Sequence, residues 1–317
     1  MAGDTSSQLP QVKISRRQLL VAGVAGVLGG FLGAIGAETK EHLDAPLRLL
    51  QGLGEKLSLP EERQRALLRM FATQGETLLV AGRDNPLQKG LHPDDKYTAD
   101  KVKDMFSSRS VSYEMDIQYD ESAHLVCLGG PQSNIDSLYH LWYERLADGQ
   151  LLPGKNKPYS LPFEYGYPPL DRLGELPSIR RYVGEQLSER PPYFLKLNVP
   201  VPSLRVSEIT SNWDGEMWLS EDWLVLSKVP HRDVAGKFVI VAGGLHGTGT
   251  KAFGQVVHDL DIAQLRQMDE QREGHPYFQS LFHVPRVLHK HGRNPRSMPV
   301  AVEHVVTFPL VVYPDRT

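Results

Sequence analysis

Three short apolar runs in this chain each end in glycine, and that pairing restricts the fold more than any other feature. Thr77-Leu78-Leu79-Val80-Ala81 leads into Gly82-Arg83-Asp84-Asn85-Pro86, and His124-Leu125-Val126-Cys127-Leu128 into Gly129-Gly130-Pro131-Gln132-Ser133-Asn134. Lys237-Phe238-Val239-Ile240-Val241-Ala242 leads into Gly243-Gly244-Leu245-His246-Gly247-Thr248-Gly249-Thr250. Continuous apolar runs of this length, closed by turn residues, read as strands buried on both faces. The second and third loops are followed by helical faces, carried by Ile135, Leu138, Leu141 and Trp142 and then by Phe253, Val256 and Val257. Strand, glycine loop and helix in succession predict an α/β fold. The expected form is a Rossmann-like three-layer sandwich with a mixed, mostly parallel sheet. Near the chain end, Phe278, Ser280, Phe282 and Val284 alternate, as do Val300, Val302, His304 and Val306 beyond a polar turn at residues 290–297. That pattern predicts an antiparallel C-terminal pair at the sheet edge.

Other segments fill in the organisation. Val111, Tyr113, Met115 and Ile117 alternate with polar residues as in a half-buried strand, after a helical stretch around residues 98–106. Regular structure resumes at Trp223 to Ser227. Between them, residues 151–203 hold ten of the 23 prolines, interspersed with Tyr159, Phe163, Tyr165 and Tyr167. Proline at this density excludes long helices and central strands. The segment is therefore expected as an insertion in a domain spanning 74–317, either wrapped on the surface with its aromatics packed down or serving as a lid or docking surface. Residues 38–73 read as a helical stalk or a pair packed on that domain, with Leu47, Leu49, Leu50 and Leu53 in one apolar group. Leu67, Leu68, Met70 and Phe71 form another, after a Pro60-Glu61-Glu62 helix start.

Composition excludes several classes. At 40% hydrophobic and 23% charged the 317-residue chain can bury a sizeable core. Its net charge of −3 argues against nucleic acid as a partner. One cysteine, Cys127, excludes an intramolecular disulfide, and its apolar run predicts a buried thiol.

The amino terminus carries an address. Ser15-Arg16-Arg17-Gln18-Leu19-Leu20 precedes a stretch, Leu19 to Ala37, without a charge. This segment resembles a twin-arginine export signal, which implies an extracytoplasmic main domain. Positive charge before the stretch and Glu38, Glu41 and Asp44 after it agree with that orientation. As a helix the stretch would span roughly 28 Å, enough to cross a bilayer. Two outcomes stay open. Small residues before a break after Gly36 suit cleavage, whereas Ala22, Gly26, Gly30 and Ala34 form a small-residue stripe suited to a retained membrane helix and a homodimer.

The glycine loops supply the candidate site, because ligands of open α/β sheets bind beyond the carboxyl ends of the strands. Gly129, Gly130, Gly244, Gly247 and Gly249 permit close backbone approach, and helix amino termini offer free N–H groups to a small polar or phosphorylated ligand. Arg83 suits pairing with an anion and Asp84 suits a sugar hydroxyl. Ser133, Asn134, Thr248 and Thr250 are donors beside the helix starts, and His246 is a donor or base. Gly244 to Lys251 inverts the last pair of an ATP-binding phosphate loop, which turns the lysine about 100° around the helix and excludes that reading. Gly247, Gly249 and Ala252 match a loose dinucleotide fingerprint without its acidic partner, so no cofactor is assigned. His283, His289 and His291 flank a basic turn without nearby carboxylates, and no metal is assigned either. Three functions follow: a ligand-binding or sensor domain, a hydrolase or transferase using His246 with Asp84 or Ser133, and an envelope assembly protein.

Overall fold

The computed structural model describes residues 61–71, 77–82, 92–106, 111–113, 123–146, 151–166, 179–183, 186–190, 194–214, 218–290 and 296–313. All belong to one unit running from Leu59 to Thr317. The export-like segment, most of the expected stalk, Arg83 and Asp84 lie outside the described residues. Among the described residues no helix is long and apolar enough to cross a membrane.

The architecture is mixed α/β. A first helix, α1, covers residues 61–71. It is followed by β1 (Thr77–Ala81), α2 (Pro93–Val102), β2 (Val111–Tyr113), β3 (His124–Leu128) and α3 (Ile135–His140). β4 (Tyr143–Arg145) precedes the proline-rich excursion, which contributes β5 (Leu151–Pro153), β6 (Phe163–Gly166), β7 (Ile179–Val183), β8 (Gln186–Arg190) and β9 (Phe194–Leu197), and β10 (Glu208–Thr210) and β11 (Asn212–Asp214) follow it. The remainder is β12 (Trp218–Pro230), β13 (Phe238–Gly244), α4 (Gly247–His258), α5 (Ile262–Gln271), β14 (Phe278–Val284), β15 (Val287–Lys290), β16 (Arg296–Pro299) and β17 (Glu303–Pro309).

The main sheet runs in the order β17-β14-β12-β13-β3-β1-β2, with β11 added to the start of β12. The three glycine-ended runs are adjacent and parallel: Leu79 lies beside Val126, and Cys127 beside Val241. Beyond Thr77 and His124 at their starts they are without polar side chains, because both faces are covered. From β13 outward the pairing changes, and β12, β14 and β17 join antiparallel. The sheet is thus parallel over one half and antiparallel over the other, where a mostly parallel one was expected. The C-terminal pair forms as expected, with β17 at the edge.

Helices cover one face. Leu79, Val126, Leu128, Leu224, Leu226, Ile240 and Ala242 point into a core shared with α1, α2, α4 and α5. Phe253 of α4 is its centre, meeting Phe71 edge-on with centroids 6.3 Å apart and Phe106 at 6.3 Å. The α1 helix belongs to this core through Ala66, Met70 and Phe71 rather than standing away as a stalk. Arg63 fixes it by donating to the carbonyls of Val257 (2.6 Å) and Leu260 (3.0 Å) at the end of α4, where the helix dipole favours a cation. Lys228 does the same for α1, donating to the Met70 carbonyl at 2.9 Å. The α2 helix begins at Pro93, earlier than apolar periodicity predicts, because proline suits a first turn and Asp94 and Asp95 there complement the dipole.

The other face is covered by α3 and the proline-rich excursion. Tyr159, Leu161, Phe163, Tyr165 and Leu195 pack on Leu125, Cys127, Val225, Val239 and Val241. Proline removes ladder donors, so the excursion is attached by side chains instead. Gln279 of β14 is fully buried and its amide closes a reciprocal pair with the Phe163 backbone, accepting from its N–H at 2.7 Å and donating to its carbonyl at 3.1 Å. Tyr165 donates its hydroxyl to the Gly243 carbonyl at 2.6 Å, and Tyr159 to the His140 carbonyl at 2.7 Å. The excursion is therefore a layer of the fold. Phe163→Ala is expected to destabilise the protein by about 3–5 kcal/mol, as for a core aromatic. Urea unfolding measures this, and a loss near zero would mean a detachable lid.

Candidate functional site

Because β13, β3 and β1 are parallel neighbours, their glycine loops emerge side by side at one edge of the sheet. Strand order changes direction here, with β2 beyond β1 and β13 beyond β3, which is where ligands of open α/β sheets bind. Backbones approach closely at this edge. A side-chain carbon on Gly243 would sit 2.6 Å from Gly130 Cα, and Gly129 adopts φ +97°, a conformation that favours glycine.

In the first loop, Gly82 donates its N–H to Asp95 Oδ2 at 3.0 Å. In the second, Asn134 is fully buried and donates its amide to the carbonyls of Leu128 (2.8 Å) and Val80 (3.3 Å), bridging β3 and β1. Its Oδ1 accepts from the N–H groups of Asp136 (2.9 Å) and Ser137 (3.1 Å), capping α3. Ser137 donates its hydroxyl to the Gly129 carbonyl at 2.7 Å. Ser133 is exposed on the rim, and Gly130 lies beneath Tyr165 and Gln132.

The third loop opens α4, whose first turn contains Gly247, Thr248 and Gly249 behind His246. An anion was expected at this terminus. Asp222, from the neighbouring strand β12, reaches it instead: its Oδ2 accepts from Gly249 N–H at 2.6 Å. Its Oδ1 accepts from Trp223 N–H at 2.9 Å and Ser211 Oγ–H at 2.8 Å, and the His246 backbone N–H donates to the same carboxylate. Burial pushes the Asp222 carboxyl up to about 7 against these hydrogen bonds. Thr250 is buried and accepts from Gly244 N–H at 3.1 Å, and Thr248 is buried as well. Gly247 faces the Asp94 carboxylate, which pairs with buried Lys251 at 2.5 Å. His246 is half-buried, more exposed than the other side chains of this loop.

The antiparallel strands bring further groups to the same edge. Register places Trp223, His283 and Glu303 in one row across β12, β14 and β17. The His283 ring stacks on the Trp223 indole, with centroids 4.5 Å apart and planes 27° apart. Its Nε2 lies 2.6 Å from Glu221 Oε1 and its Nδ1 3.8 Å from Glu303 Oε2. Sequence spacing had grouped His283 with His289 and His291, but its partners are carboxylates from other strands. Alternation within β12 puts Glu221 and Trp223 on one side, yet only the register reveals His283 opposite them. The carboxylates address opposite ring nitrogens, and among the described residues no cluster of three metal-binding side chains forms.

Of the expected site residues, Gly129, Gly130, Ser133, Asn134, Gly244, His246, Gly247, Thr248, Gly249 and Thr250 converge on this edge, while Arg83 and Asp84 lie outside the described residues. A cavity of about 840 Å³ lies elsewhere, near the C-terminal end of α4, bounded by Arg63, Leu67, Met105, His258 and Ile262. No family model, no curated protein and no solved structure matches this chain.

A carboxyl whose folded pKa stands above its usual 3.8 contributes stability fully below that value and loses it as pH rises through about 7. Wild-type stability is therefore expected to fall, relative to Asp222→Asn, between pH 4 and 7. The amide leaves a donor facing a donor and destabilises by about 1–3 kcal/mol. Urea midpoints across this range measure both effects; parallel profiles would refute the buried-acid assignment.

Proposed function

We propose that this protein is an extracytoplasmic binding or sensor domain for a small polar, nucleotide-like ligand, received at the carboxyl edge of β1, β3 and β13. The observation that carries the reading is the meeting of three glycine-ended strands at a change of strand direction, with Ser133 exposed and His246 half-buried beside them. A Rossmann-like three-layer arrangement, with the proline-rich excursion as third layer, is the fold that goes with it. The helix termini favour the hydroxyl- and amine-bearing part of such a ligand over its phosphate, since Asp222 and Asn134 already satisfy their N–H groups. Asp95 likewise takes up the Gly82 N–H, and Lys251 is taken up by Asp94.

Thermal unfolding with adenosine, AMP, ribose and glucose tests this. At least one uncharged member is expected to raise the Tm of the wild type, and to lose that effect with His246→Ala. No shift from any of them, or an equal shift in the variant, would refute the reading. The hydrolase or transferase alternative draws support from the Glu221–His283 hydrogen bond, which holds an imidazole as a general base would be held. Turnover of the stabilising ligand, abolished in His283→Gln, separates the two.

Export is the second part of the proposal, and it rests on the paired arginines before an uncharged stretch. Mass spectrometry of the protein from its native envelope is expected to find either a mature terminus after Gly36 or an intact chain in the membrane fraction. An intact chain in the soluble cytoplasm would contradict it.

A further inference from the structure

Between Glu273 and Glu303 the chain contains no aspartate or glutamate, yet Arg286, Lys290, Arg293 and Arg296 fall close together there in an otherwise acidic protein. The fold turns much of this stretch into the β15–β16 ladder, with Leu288 opposite Met298, His289 opposite Ser297 and Lys290 opposite Arg296. The ladder is fixed to α4 from beneath: Lys251 donates to the Ser297 carbonyl at 2.7 Å and Gln255 to the Pro299 carbonyl at 2.9 Å. Val287 packs on the helical-face core, which leaves the alternate row outward. Leu288 of that row is 49% exposed, and Val300, just past β16, is 45% exposed. Lys290 and Arg296 are backbone partners at the end of the ladder, beyond Leu288 and Met298.

Four cations without an acid in this stretch favour an anionic partner. We propose that this ladder docks the domain on an anionic lipid surface, with Leu288 entering the interfacial region and Arg286, Lys290 and Arg296 meeting lipid phosphates. Exposed Leu288 and Val300 beside the cations favour lipid over a soluble polyanion, which gains nothing from apolar side chains. The acidic remainder of the chain also opposes wrapping by a polyanion. The ladder lies beside the start of α4 through Lys251, and its test reads lipid rather than the small ligand, so the two proposals can fail separately.

The test is an environment-sensitive fluorophore on Val300→Cys in the full chain. Native Cys127 is fully buried, so the label reports the ladder and not the uncharged stretch Leu19 to Ala37. Vesicles of phosphatidylcholine mixed with phosphatidylglycerol are expected to shift its emission to the blue, and phosphatidylcholine alone is expected not to. Adding Lys290→Ala and Arg296→Ala should raise the lipid concentration at half-shift on the order of 30-fold. No shift on the mixed vesicles, an equal shift on phosphatidylcholine, or an unaltered half-point in the double variant overturns the proposal. So does a response to inorganic polyphosphate without one to vesicles, which would mark a soluble polyanion as the partner.

Discussion

Burying the Asp222 carboxylate removes it from water, and the fold compensates by aiming donors from three places at it. Gly249 N–H comes from α4, Trp223 N–H from β12 and the Ser211 hydroxyl from the link between β10 and β11. The first turn of a helix otherwise leaves N–H groups without partners. By satisfying them from the adjacent strand, Asp222 sets where α4 starts and how it lies on the sheet. That placement puts Phe253 between Phe71 and Phe106, and so gathers α1 and α2 into the same core. The same carboxylate fills the electropositive end of α4, which shapes the chemistry of the edge toward neutral or cationic groups.

The two faces of the sheet solve burial differently. Helices cover one face with most of their backbone groups paired internally, and side chains such as Asp222, Arg63 and Lys228 take up groups left at their ends. The proline-rich excursion, which joins no strand of the main sheet by backbone pairing among the described residues, is attached to it by buried polar side chains and its own tyrosines. Gln279 stands in for a strand by pairing with both polar atoms of Phe163, and Tyr165 reaches the Gly243 carbonyl. This ties the excursion directly to the end of β13. A change in one is therefore felt in the other, which gives the excursion a mechanical link to the candidate site.

Some of the site was legible in the residues. Asn134 after a glycine pair and before an apolar helical face is a capping signal, and it caps α3. Its bridging of Val80 and Leu128 was not legible, since that depends on β1 and β3 being neighbours. Asp222 gave no signal because the helix it caps begins more than twenty residues later. Glu221 and His283 are likewise far apart in sequence, and their contact follows from the β12–β14 register.

The sequence by itself determined the buried strands, because a run such as Leu125 to Leu128 has no polar face to expose, and a bent chain wherever glycine follows such a run. It also determined that residues 151–203 would lack long helices, since proline removes their hydrogen bonds. Tertiary structure decided the order and direction of the strands. With them it decided which polar groups fill the glycine loops, a matter of long-range pairing that local patterning does not encode. Glycine loops that the sequence offered to a phosphate became sites held by Asp95, Asn134 and Asp222, because a buried N–H requires an acceptor, and side chains of a helix, a cap and a neighbouring strand supplied one.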